Sequence, residues 1–268
     1  MILKRSEVLV RIFAVQLLAL LALVVIGQSP SGPQANARGV IRLRVRVKVG
    51  DSTKGLSRKR FFLIKGSLTE NKGLIEAMEQ EPVVSRDCYY QGIGASPELI
   101  AWLKQNDCES VYCREVEQKY LEGNGAVPEF QRAVAAGEKQ FGNRELARKW
   151  LSVNITGELR SGFYKRQQKD LQTLVKQAEE LSKARVLSVM TDRNGTAYFT
   201  DLEPGTYVIS NILSTEVGNS GVLWNCELKV KPGDLATETP FLISNNKDRN
   251  VKCVGVVKPL PACPTPKQ

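Results

Sequence analysis

The stretch Val40-Ile41-Arg42-Leu43-Arg44-Val45-Arg46-Val47-Lys48-Val49 constrains this chain more than any other part of it. Ile41, Leu43, Val45, Val47 and Val49 alternate with Arg42, Arg44, Arg46 and Lys48 across the whole run. Successive side chains of a strand point to opposite faces, so a period of two means one face buried and one face in water. That is a strand of an antiparallel sheet, because parallel strands are covered on both faces and read as continuous apolar runs. Gly50-Asp51 ends it, and residues 60–64, Arg-Phe-Phe-Leu-Ile, read as the next strand.

From about residue 69 to 184 the period changes to that of helices. Ser96-Pro97-Glu98 marks a helix start, with serine as the cap and proline at the first helical position. Further helices are expected from Pro128 toward Phe141, over residues 144–151 and over 165–183. In the last, Leu171, Leu174, Val175, Ala178 and Leu181 form an apolar stripe opposite a strongly charged face. From residue 185 the period of two returns, with strands expected at 186–190, 196–200, 206–213, 222–230, 237–243 and 251–257. Asn194-Gly195, Pro204-Gly205, Pro232-Gly233 and Asn245-Asn246 mark turns between them. Several short strands at this spacing indicate a sandwich. Two strands before the helices and about six after predict one antiparallel β-sandwich with a large all-α insertion between its second and third strands, an α+β chain. The expected boundaries are 38–68 and 186–258 for the sandwich, 69–185 for the helical insertion and 259–268 for a tail.

The amino terminus adds an address. Lys4, Arg5 and Arg11 precede an apolar stretch from residue 12 to 26, followed by a polar segment and the small residues Ala35-Asn36-Ala37. A basic region before a short apolar run is the pattern of a secretory signal occupying residues 1–37, with an uncleaved anchor over residues 12–26 as its rival. Either places the remainder outside the cytoplasm: periplasmic, at the cell surface or secreted. Cys88, Cys108, Cys113, Cys226, Cys253 and Cys263 all follow that segment, and an even count in an exported chain points to disulfides. Cys108 with Cys113 across a turn and Cys88 with either of them are equally open pairings.

The net charge is +10. Lys4, Arg5 and Arg11 against Glu7 account for two of those charges, so the exported part is near +8. That favours anionic partners, although charge alone also serves solubility. Arg42, Arg44, Arg46 and Lys48 share one side of their strand at about 6.6 Å intervals, near the charge spacing of many polyanions. Arg58, Lys59 and Arg60 are expected to extend this stripe. The alternative is a merely solvated sheet face, or one covered by the helical insertion.

The segment Thr191-Asp192-Arg193-Asn194-Gly195-Thr196-Ala197-Tyr198-Phe199-Thr200-Asp201-Leu202-Glu203-Pro204-Gly205-Thr206-Tyr207 resembles the T-D-x-x-G-x-x-x-F-x-x-L-x-P-G-x-Y signature of carboxypeptidase-regulatory-like domains, the prealbumin-like (transthyretin-like) sandwiches. Val230-Lys231-Pro232-Gly233-Asp234 resembles the end of the same module, and the helical block has no counterpart in it. The resemblance implies structural roles for Asp192, Gly195, Phe199, Leu202, Pro204, Gly205 and Tyr207, and an accessory or adhesion-like function. Related surface domains close an internal Lys–Asn bond beside a glutamate. Here Asn211 stands where that glutamate would follow, and Lys48 falls on the outward face, so no such bond is expected.

With no histidine in the chain, the usual triads, Cys–His nucleophiles and most zinc hydrolase sites are excluded. Ser244-Asn245-Asn246-Lys247 matches S-x-x-K, but it falls in a turn after a strand, whereas the enzyme motif opens a helix. Asp192, Asn194, Thr196 and Glu203 fit four positions of a calcium loop, yet Ala197 occupies the position that needs glycine, which favours a hairpin. Asn154-Ile155-Thr156 and Asn194-Gly195-Thr196 are formal glycosylation acceptors. The sequence therefore reads as a non-enzymatic binding or structural module of the cell envelope or exterior, with no cofactor and no metal. Its expected partner is an unknown protein or an anionic polysaccharide; nucleic acid is not expected, and membrane contact only through the amino-terminal anchor. The alternative from another class is a hydrolase with acid residues in the helical insertion.

Overall fold

The computed structural model describes residues 38–105, 116–153, 157–234 and 239–263. The signal segment, Cys108, Cys113 and Asn154-Ile155-Thr156 lie outside the described residues. Strand β1 spans Gly39–Val49, β2 Ser52–Gly55 and β3 Arg60–Lys65. Six helices follow: α1 Lys72–Gln80, α2 Arg86–Gly92, α3 Pro97–Gln105, α4 Pro128–Phe141, α5 Arg144–Val153 and α6 Gly157–Ser182, with a short 3₁₀ turn at Gln118–Tyr120. The remaining strands are β4 Leu187–Met190, β5 Thr196–Leu202, β6 Gly205–Ser210, β7 Thr215–Val217, β8 Ser220–Leu223, β9 Asn225–Val230, β10 Phe241–Ser244, β11 Cys253–Val254 and β12 Val256–Pro259.

These form three sheets. In sheet I, β1 pairs antiparallel with β2 and β5 along one edge and parallel with β10 along the other, and β11 lies outside β10. Sheet II is antiparallel in the order β4-β3-β6-β9, and sheet III in the order β12-β8-β7. The sheets are thus not all antiparallel: β10 crosses over from β9 in sheet II and enters sheet I in the direction of β1.

The expected alternation sets the main core. Leu43, Val45 and Val47 from β1 meet Phe61 and Leu63 of β3, Tyr207 and Ile209 of β6, and Trp224, the bulkiest of the wholly buried side chains. The Trp224 indole donates to the Ser244 carbonyl at 2.8 Å, which satisfies its one polar group in the interior. On the other side of sheet II, α1 and α6 place Leu74, Met78, Leu174 and Ala178 over Phe62, Ile64 and Val208. Strand β3 is therefore apolar on both faces, and its Phe-Phe-Leu-Ile run has no alternation to show. A third core belongs to the helices alone, where Trp102 and Phe130 meet edge to face at 4.9 Å. Gly137 lets α4 approach α5, since a methyl group there would press on the Ala147 side chain.

Helix ends follow their caps. The Ser96 hydroxyl accepts from the Leu99 N–H at 3.1 Å, and Glu129 accepts from both the Ser96 N–H and hydroxyl. Burial pushes the Glu129 carboxyl up, but the Ser96 hydrogen bonds outweigh it and hold it below its ordinary value. Helix α6 starts earlier than its stripe suggested, and Leu181, in its last turn, is exposed although it continues that stripe.

The family-like segment forms the β4–β5–β6 turns. Asp192 accepts from the Asn194 and Thr196 N–H groups, both at 2.8 Å, closing a tight turn. It is not the expected hairpin, because β4 pairs with β3 in sheet II and β5 with β1 in sheet I, so the turn links two sheets. Gly195 has φ 76°, and a methyl group there would overlap the Val45 carbonyl oxygen, so β1 and this turn meet only across glycine. Phe199, Leu202 and Tyr207 enter the main core, and the Tyr207 hydroxyl reaches back to the Glu203 carbonyl at 2.8 Å.

Two disulfides are described. Cys226–Cys253 ties β9 of sheet II to β11 of sheet I, across 27 positions. Cys88–Cys263 ties α2 to the tail, across 175 positions, so Cys88 pairs with neither Cys108 nor Cys113. The same tail is held by Lys258, whose ammonium donates to the Met78, Glu79 and Glu81 carbonyls at the end of α1. Burial draws the Lys258 pKa down, against the pull of Glu79 and Glu81. Disulfides of this kind persist in an oxidising, exported environment. No helix among the described residues is long and apolar enough to cross a membrane.

Candidate anion-binding face

Sheet I has one face in the main core and one face outward. Its outward side is built from β1 and the strands flanking it. Arg42 stands opposite Tyr198, Arg44 opposite Thr196 on one side and Leu242 on the other, and Arg46 opposite Gly55 and Ser244. Lys48, paired with Thr53, completes the row. The helices pack over sheet II, not here.

The three arginines are half-buried and Lys48 is exposed. The stems lie along the sheet, and the Nε atoms of Arg42, Arg44 and Arg46 are covered without any hydrogen-bond partner. None of these cations forms an ion pair with a carboxylate of the described residues. On the flanking segments, Asp201 pairs with Arg38 at 2.9 Å, and Asp234, which lines the same hollow as Arg42, accepts from the Lys231 N–H at 2.8 Å. Asn245, from the S-x-x-K stretch, exchanges two hydrogen bonds with the Lys48 backbone, at 2.8 and 2.9 Å, prolonging the β1–β10 pairing.

Such a row is electrostatically unfavourable on its own. Like charges about 6.8 Å apart repel by roughly 0.6 kcal/mol per neighbouring pair even in water, and by about four times that at a protein surface. A line of anionic groups on the same face would relieve that repulsion and supply acceptors to the guanidinium donors.

Arg58, Lys59 and Arg60 do not extend the row. Arg58 and Lys59 lead into β3 and Arg60 opens it, and β3 belongs to sheet II, so the expected patch is split. Lys59 is 4% exposed, and its backbone is clamped by Thr191 at 3.0 and 2.9 Å. Arg58 turns the chain with φ 53°, and Arg60 donates to the Ser188 hydroxyl at 3.1 Å. Lys59 and Arg60 instead line a cavity of about 90 Å³ between sheet II and the helices, shared with Arg86, Phe62, Ser214 and Glu216. Sequence reasoning missed Arg86 there, because nothing local distinguishes it from a solvated charge at a helix start. It missed Tyr198 on the arginine face as well, although the period-two position beside Phe199 was a usable signal.

Asn211, at the family's glutamate position, is buried. Its side chain donates to the Val222 carbonyl at 2.9 Å and to Thr215, and accepts from the Trp224 N–H at 2.8 Å. It holds the β6, β8 and β9 ends together, away from exposed Lys48. Among the described residues no three potential metal ligands cluster. Compared with protein-family models, with curated proteins and with solved structures, the chain matches none of them.

Proposed function

We propose that this chain is an exported, non-catalytic binding module of the cell envelope or exterior, with a prealbumin-like sandwich that docks a linear polyanion on Arg42, Arg44, Arg46 and Lys48. The observation that carries this reading is the row of cations on an outward sheet face, none of which forms an ion pair with a carboxylate among the described residues. A face that was only solubilising would mix both signs of charge. The signature-like run from Thr191 to Tyr207, whose Phe199, Leu202 and Tyr207 fill the sandwich core, supports the carboxypeptidase-regulatory-like assignment, with the helices as an insertion between β3 and β4. The amino-terminal pattern and the disulfides support export.

The test uses poly-L-glutamate as a plain polyanion. The protein is expected to bind it with an affinity that falls steeply with salt, as counterion release requires. R42Q/R44Q/R46Q is expected to weaken binding at low salt by roughly 100-fold and to flatten the salt dependence. R58Q/R60Q, on the other sheet, is expected to change affinity less than about threefold. Equal losses in the two variants would mean that only net charge matters, and the face would lose its role.

A further inference from the structure

The polyanion face also carries an aromatic ring in a particular place. Tyr198 lies directly opposite Arg42 in the β1–β5 register, on the same outward side, and is 49% exposed. Its neighbours on either side, Ala197 and Phe199, are buried in the main core, so the backbone that aims the ring outward is fixed. Among the described residues the ring makes no stacking contact with another aromatic and no cation–π contact with Arg42, and its hydroxyl has no hydrogen-bond partner. Directly opposite cross-strand residues have Cβ atoms about 5 Å apart, so one ligand unit can touch both groups.

Hydroxyls border the row on the strands that flank β1. Thr196 and Thr200 flank Tyr198 on β5 and Thr53 faces Lys48, while Leu242 stands across from Arg44, and Ser244, across from Arg46, is buried. Guanidinium groups recognise carboxylate or sulfate in bidentate fashion, hydroxyls pair with hydroxyls, and an exposed aromatic face takes the C–H side of a flat ring. A simple chain of charges would use only the first of these. Resting on the polyanion reading above, we infer that the ligand is an acidic polysaccharide, a polymer of sugar rings bearing carboxylate or sulfate. One ring stacks on Tyr198 while its acidic group meets Arg42, and the next acidic groups along the chain meet Arg44 and Arg46.

The test compares polygalacturonate, a polymer of uronic acid rings, with poly-L-glutamate, which has the carboxylates without the rings, at matched carboxylate concentration and ionic strength. The wild-type protein is expected to bind polygalacturonate roughly tenfold more tightly. Y198A is expected to bring the two affinities together by weakening the polygalacturonate complex alone, and Y198F, which keeps the ring, to preserve the preference. Equal affinities in the wild type, or equal losses for both polymers in Y198A, would overturn the sugar assignment while leaving polyanion binding intact. Tighter binding of single-stranded oligothymidylate than of polygalacturonate would also overturn it, in favour of a nucleic acid ligand. Binding of neither polyacid overturns this inference together with the reading on which it rests.

Discussion

Sheets I and II share one apolar core, and their outward faces have opposite fates. On sheet II, Phe62, Ile64 and Val208 are sealed beneath Leu74, Met78, Leu174 and Ala178. On sheet I, Arg42, Arg44 and Arg46 are half-buried and Lys48 exposed, and none has an acidic partner among the described residues. The difference is written in the two strands. Strand β3 runs Phe-Phe-Leu-Ile and must be covered on both sides, whereas β1 interposes a cation at every second residue and keeps one side in water. A helical block joined after β3 therefore buries its apolar side over sheet II and Leu223 of sheet III, not on the cationic side of sheet I. The lesson is that where the helices dock leaves the cationic face open, and the open face is the one available for a ligand.

The comparison predicts its largest effect at Phe62. Phe62→Ala empties a site closed by two helices and is expected to cost about 3–5 kcal/mol in urea unfolding. Tyr198→Ala, on the open face, is expected to stay within about 0.5 kcal/mol of the wild type. A Phe62→Ala cost under about 1 kcal/mol would mean that the helices do not seal sheet II as described.

Next comes the disulfide that joins the two sheets. Replacing Cys226 and Cys253 with alanine opens a loop spanning 27 positions. The loop-entropy relation gives a loss of about 3–4 kcal/mol, somewhat offset by the apolar alanine at Cys226, which is buried in the main core. Because the bridge lies at the β9–β11 edge, polyanion binding by the folded double variant is expected to remain within about twofold at Arg42–Arg46. A large loss of binding in a variant that is still folded would show that the bridge shapes the cationic face.

Much of this was legible in the sequence, and the rest failed for identifiable reasons. The β1 alternation placed Leu43, Val45 and Val47 inside, and the proline signal placed α4 at Pro128–Phe141. The run over residues 222–230 reads as one strand, with alternation from Trp224 onward, yet it divides at Trp224 between β8 of sheet III and β9 of sheet II. The break comes from Asn211, which takes the Val222 carbonyl and the Trp224 N–H that a continuous ladder would have used. Likewise residues 251–257 divide at Gly255, where a methyl group would strike Val222 and Trp224. The pairing of Cys88 with Cys263 joins residues 175 positions apart and leaves no local trace. Of the expected cationic stripe, the strand-borne half could be read from its period. The Arg58-Lys59-Arg60 half could not, because membership of a sheet is a long-range property that local charge does not report.

The smallest expected effect bears most directly on what the open face is for. Arg44 has Arg42 and Arg46 as neighbours on its own strand and forms no ion pair among the described residues, so its charge is a net cost to the folded state. Arg44→Gln removes two repulsions, each of about 0.6 kcal/mol in water at the spacing of alternate strand residues. The variant is expected to be more stable than the wild type by about 0.5–1 kcal/mol at low salt, and by nearly nothing in about 1 M salt, where the screening length is near 3 Å. It should gain this stability while binding poly-L-glutamate less well, the opposed pair of changes expected of a residue held for a ligand. Thermal unfolding of both proteins at the two salt concentrations decides it. Should Arg44→Gln be less stable at low salt, the guanidinium is a structural support of sheet I, and the contrast between the two outward faces loses its functional meaning.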